Sequence, residues 1–143
     1  QIDNGEAFAK LKEMVAAQGG DTSVLDDSAN FPQAKVAHEV LAQGDGYLYA
    51  MNTEQCGISS VELGAGREKK EDSIDYSAGI ILRKKIGDYV KKGDVIAVFY
   101  TSEEGKCKEA EKLFESAVSI RPEAPKAAPV IHARVTVDGV EKL

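Results

Sequence analysis

The sequence predicts an α+β domain preceded by one separate helix. Two observations carry that reading. Apolar residues recur at helical spacing in three stretches and follow strand patterns in five others. From Lys35 onward the order is β-β-α-β-β-α-β, with strands following strands instead of the strict β-α-β alternation of a parallel sheet. At 143 residues and 43% hydrophobic content, the chain is long enough for one compact core.

The elements follow in order. Residues 3–18 read as a helix, because Ala7, Phe8, Leu11, Met14 and Val15 recur on one face. Asp3 and Glu6 resemble a capping box, and Gly19-Gly20 supplies the stop. An amphipathic helix must bury its stripe against something. Residues 21–34 form a polar connection containing Pro32, which makes a domain boundary. Residues 35–42 and 47–52 read as strands around a Gly44-Asp45-Gly46 turn. Asn52 caps a short helix running to about Leu63, with Gln55 at the reach-back position and Gly64 as the stop. Residues 64–72 are a glycine-rich, charge-dense loop. Residues 77–86 and 94–101 are strands on either side of the turn sequence Gly-Asp-Tyr-Val-Lys-Lys-Gly, 87–93. Ser102 is placed to cap a third helix, 103–118, with Cys107, Ala110, Leu113, Phe114, Ala117 and Val118 on its buried face and a Glu104–Lys108 pair outside. Residues 121–129 read as a Pro/Ala linker, and 130–139 as a last strand that sets Ile131, Ala133, Val135 and Val137 against Val130, His132, Arg134 and Thr136.

Composition excludes several classes. A net charge of −6 argues against a general nucleic-acid binder. No apolar run reaches membrane-spanning length, and no charged-then-apolar leader is visible. Cys56 and Cys107 lie far apart with no Cys-x-x-Cys, which points to free thiols in a reducing compartment and a cytoplasmic location. His38 and His132 lack the spacing of zinc ligands, so no metal site is expected. The chain opens on Gln1 and not on Met, its first segment reads as the middle of something longer, and the expectation is a piece of a longer protein.

Three motifs invite a functional reading. The first, "KKIGDYVKKGD", 84–94, combines turn chemistry with Ile86 and Val90 as apolar plugs. It resembles the corresponding run of biotinyl and lipoyl carrier domains. Those domains present an acceptor lysine between specific neighbours at a hairpin tip, and neither Met14 nor Met51 adjoins a lysine here. A stand-alone carrier or interaction module is therefore the alternative reading, and no lysine is expected to carry a cofactor. Arg83, Lys84, Lys85, Lys91 and Lys92 also form a basic patch, which either meets an acidic face or a phosphate or simply guards a strand edge. The second motif, Gly64-Ala65-Gly66-Arg67, tempts one toward a phosphate loop, but its glycines follow a helix where a phosphate turn would open one. Third, no serine lies in a Gly-x-Ser-x-Gly context. The residues alone yield no complete active site: no catalytic, cofactor-binding or metal-binding residue is assigned.

The run Val61–Ser102, "VELGAGREKKEDSIDYSAGIILRKKIGDYVKKGDVIAVFYTS", resembles the C-terminal domain of the pyrimidine-nucleoside phosphorylase and thymidine phosphorylase family. Residues 3–21 resemble the helix that ends that family's large α/β domain, and 132–139 are similar to its tail. The resemblance implies an α/β-hammerhead fold, related to barrel-sandwich folds, over residues 35–143, with 1–34 as the last helix and linker of the upstream α/β domain. It also implies a reaction in which phosphate, a substrate, attacks C1′ of a pyrimidine nucleoside to release the base and a (deoxy)ribose 1-phosphate. The family's catalytic and cation-binding motifs match no position here, so no residue role is carried over and no cofactor is expected in this chain. Its partners are the upstream domains of the same enzyme, expected to be a homodimer. One element is assigned a role. The loop with Gly64, Gly66, Arg67, Lys69 and Lys70 reads either as a plain solvent loop or as a mobile closure element with Arg67 the main clasp, and the second is the functional expectation.

Overall fold

A computed structural model describes residues 1–67, 69–127 and 129–143. Helix α1 spans Glu6–Ala17. Its start differs from the expected capping box. Gly5 adopts the left-handed conformation and redirects the chain, so Asn4 accepts the Glu6 N–H at 3.2 Å in place of Asp3. The stop is as expected, with the Gly19 and Gly20 N–H groups bonding back to the Ala16 and Val15 carbonyls. No residue of α1 is buried. Val15 is partly covered, but Phe8, Leu11 and Met14 face solvent. The helix packs mainly on the short 3₁₀ turn Thr22–Leu25, with Lys12 paired to Asp26.

The rest forms β1 (Val36–Leu41), β2 (Gly46–Met51), α2 (Thr53–Ser60), β3 (Gly79–Leu82), β4 (Tyr89–Val90), β5 (Val95–Thr101), α3 (Cys107–Ala117), β6 (Val118–Arg121), β7 (Ala133–Thr136) and β8 (Gly139–Lys142). One antiparallel sheet has the order β1-β5-β3, a second β4-β2-β6, and β7-β8 is a separate hairpin. Mixed helices and small antiparallel sheets make this an α+β arrangement.

The core lies between these sheets and the packed pair α2 and α3. Its largest members are Phe99 of β5 and Phe114 of α3, edge-to-face at 5.4 Å between ring centres. Leu48, Leu63, Val90 and Ile96 fill the space around them. At the margin, His38 of β1 meets Glu111 of α3 at 2.9 Å. Both cysteines are free thiols.

The lysine-rich stretch forms two tandem copies of one turn. In Lys85–Asp88 and in Lys91–Asp94 the aspartate accepts the lysine backbone N–H three residues earlier, at 2.8 and 2.9 Å. Gly87 donates to the Leu48 carbonyl and Leu48 donates back to the Asp88 carbonyl. Gly93 and Asp94 make the same exchange with Ala42. The buried plugs that follow are Val90 and Ile96. The expected plug Ile86 is more than half exposed, because it sits within the first turn itself.

Other expectations need correction. Ser102 does not cap α3: its N–H is held by Asp75, and a 3₁₀ turn, Glu104–Lys106, intervenes before Cys107. The ion pairs are Glu103–Lys106 at the turn before α3 and Glu109–Lys112 within the helix, and Glu104–Lys108 is not among those of the described residues. The helix ends at Ala117 because β-branched Val118 and Ile120 pair as β6 with β2. The turn sequence 87–93 contains β4, and 130–139 is no single strand, since Asp138-Gly139 folds it back into a hairpin. Glu68 of the charged loop and Ala128 of the linker lie outside the described residues.

Candidate functional site

The charged loop grows from α2. The Asn52 side chain accepts the Gln55 N–H at 3.1 Å, the expected cap. Ser59, fully buried, donates to the Ala110 carbonyl at 2.6 Å and fastens α2 to α3. Beyond Ser60 the helix widens into a π turn, Val61–Ala65. Within it Gly64 breaks the helical course at φ +104°, a conformation that side chains with a Cβ rarely adopt. The Leu63 carbonyl accepts from the buried Thr101 hydroxyl at 2.8 Å, which ties the turn to the end of β5.

Asp75 closes the loop. Its N–H donates to the Gly64 carbonyl at 2.9 Å. Its carboxylate accepts the Ser77 N–H at 2.9 Å, the Ser77 hydroxyl at 2.6 Å and the Ser102 N–H at 2.8 Å. These bonds, the Ser77 hydroxyl's foremost, hold the carboxyl well below the usual carboxylate range. Between the anchors, Asp72 accepts the Lys69 N–H and donates its own to the Lys69 carbonyl, so part of the loop is a closed turn.

A cleft of about 230 Å³ lies at the loop base, with Glu62, Gly64, Gly66, Ser73 and Lys106 among its walls. Lys106 is its cation. The Glu103 carboxylate, bonded at 2.9 Å, raises the affinity of the ammonium group for its proton, and Glu62 and Asp75 add to that. Elsewhere, burial pushes both thiols above their ordinary range, which leaves them poor nucleophiles.

The structure thus separates the assigned residues. Gly64 and Gly66 line the cleft, whereas Arg67, Lys69 and Lys70 are exposed and make no ion pair among the described residues. Sequence reasoning missed Lys106 and Asp75. Asp75 had a local signal, an Asp-x-Ser turn pattern at 75–77. Lys106 had none, since only the packing of the turn before α3 against the π turn brings it there.

A family model described as the pyrimidine nucleoside phosphorylase C-terminal domain matches residues 47–121. Over 135 residues the chain is 38% identical to a pyrimidine-nucleoside phosphorylase of Bacillus subtilis (strain 168), covering 94% of this chain and 31% of that protein. A pyrimidine-nucleoside phosphorylase of Geobacillus stearothermophilus is 42% identical over 115 residues, 80% of this chain and 27% of its own length. A thymidine phosphorylase of Metamycoplasma hominis is 41% identical over 101 residues, 71% of this chain and 37% of its own length. The chain spans about a third of the length of these relatives.

Proposed function

This chain belongs to the pyrimidine nucleoside phosphorylase family, and from that membership we propose that it is the C-terminal part of an enzyme that cleaves pyrimidine nucleosides with phosphate. In that reaction phosphate oxygen bonds to C1′, the bond from C1′ to the base nitrogen breaks, and the products are free base and a (deoxy)ribose 1-phosphate. The observation that carries the reading is the family match over residues 47–121, which takes in α2, the charged loop, the tandem turns and α3.

Residues 35–143 act as a hammerhead-type domain that completes the large lobe of a cytoplasmic homodimer, with 1–34 as the end of the preceding α/β domain. Catalytic groups reside outside this chain, which holds no cofactor of its own. The charged loop closes the site, with Arg67 reaching an acceptor on the opposite lobe and Lys69 and Lys70 assisting. Phosphorolysis benefits from a water-poor site, because water competes with phosphate for C1′. Support for a closure role comes from the loop's construction. Both ends are anchored, at Gly64 and Asp75, while the cations between them stand exposed. The Lys106 cleft at its base offers a seat for the returning loop or a facing acidic group.

The test is direct. Purified chain is incubated with thymidine or uridine and phosphate, and free base is measured beside the longer polypeptide that carries the chain. Base release is expected from the longer polypeptide alone, and turnover by the chain itself would overturn the assignment of a non-catalytic domain. Intact mass after expression with biotin or lipoate ligase tests the carrier alternative, for which a cofactor-sized adduct would be required.

A further inference from the structure

The β7–β8 hairpin is a two-sided ribbon with very different faces. Val135 pairs with Val140, and Arg134 pairs with Glu141. Paired positions share a face, so Ala133, Val135, Val140 and Lys142 lie on one side and Arg134, Thr136 and Glu141 on the other, with Val137 in the turn between the strands. The apolar side is uncovered, with Val135 75% and Val140 67% exposed, and Val137 in the turn is fully exposed. All residues from Val130 to Leu143 are exposed. A two-stranded ribbon with a bare aliphatic face is marginal in water by itself, and burial of that face is what would stabilise it.

We infer that this hairpin is a tethered clasp, whose apolar face docks on the body of the longer polypeptide outside this chain. The inference rests on the reading of the chain as part of such a polypeptide. Two observations select that occupant. The relatives extend far beyond the region matched, so about two thirds of the Bacillus subtilis relative lies outside the alignment, length enough for a further body beside this one. The connection from Pro122 to Pro129 spans at most about 28 Å when extended, which lets the hairpin reach a neighbouring body while keeping its local concentration high. The docking strip it meets is apolar opposite Val135 and Val140 and polar or acidic where Lys142 ends that face, while Arg134 and Glu141 stay in water.

Amide hydrogen exchange over 133–142 tests this in the longer polypeptide, at two protein concentrations, and in the 143-residue chain. The clasp predicts strong protection in the longer polypeptide at both concentrations and fast exchange in the short chain. Val135→Asp with Val140→Asp removes that protection by about tenfold or more and lowers Tm, whereas Thr136→Asp on the polar face changes neither. Should the double variant fail to fold, Val135→Thr gives a smaller loss by the same measure. Equally fast exchange in both proteins overturns the inference, as does a coding sequence that provides no further body. Protection that rises with concentration, with Val135→Asp dissociating a dimer, assigns the face to a second copy and overturns the stated occupant. Phosphorolysis measured in parallel separates the two readings. No turnover with a protected hairpin sinks the proposed activity alone, and turnover with an unprotected hairpin sinks the clasp alone.

Discussion

The Asp75 N–H donates to the Gly64 carbonyl at 2.9 Å, so the two ends of the charged loop are fastened to each other. The same aspartate binds Ser77 and Ser102 through its side chain and locks the loop exit to the end of β5. Asp75→Ala removes these three side-chain bonds. Partial solvent exposure reduces their worth, and the expected loss is about 1–2 kcal/mol by denaturant unfolding. A variant as stable as the parent would show that the Gly64 contact alone closes the loop.

The same network sets an acid limit. The folded-state carboxyl of Asp75 titrates below its unfolded value of 3.8. Its contribution is therefore fully present above the unfolded value and disappears as pH falls through that range toward the folded one. Thermal unfolding from pH 6 down to pH 2 should show a steeper fall for the parent than for Asp75→Asn. Parallel curves would remove Asp75 as the cause.

Gly46 faces β6 at close range. A Cβ there would lie 2.4 Å from the Arg121 carbonyl oxygen, with φ at +148°. Gly46→Ala should part β2 from β6 and destabilise the fold severely, by several kcal/mol on the order of other overpacked or strained sites. Gly79→Ala, where a new Cβ meets nothing within 4 Å, is the matched control and should be near neutral. Similar melting temperatures for the two would contradict the strand contact.

Phe114 is fully buried against Phe99. Phe114→Ala leaves a cavity between α3 and β5 and should cost about 3–5 kcal/mol. Phe114→Leu should recover part of that loss, which equilibrium unfolding would register. A cost below about 1 kcal/mol would mean that the core collapses around the vacancy.

Arg67 is exposed and unpaired among the described residues, so Arg67→Ala should leave Tm within about 1 °C of the parent. In the longer enzyme the closure role predicts a lower kcat with the fold intact. Unchanged steady-state kinetics would leave a solvent-facing loop and nothing more.

The sequence by itself determined the α+β class, the Asn52 cap, the stop at Gly19 and the buried face of α3, of which Cys107, Ala110, Phe114 and Ala117 are buried. Each depends on a few neighbouring residues: a 3.6-residue period, a capping side chain or a glycine. It also carried the family, through the run from Val61 to Ser102 that lies wholly within the matched region. Only the tertiary structure decided the rest. Tyr89-Val90 and Val118–Arg121 are strands because β2 lies between them and accepts both as partners, a relation no local pattern encodes. Ser102 resembles a cap, yet Asp75, distant in sequence, holds its N–H. Lys106 enters the loop cleft because α2 and α3 pack together and carry the turn before α3 to the π turn. Periodicity and turn chemistry act over one or two turns of chain, whereas strand pairing and the approach of one side chain to another are settled by contacts that form only once the whole domain has closed.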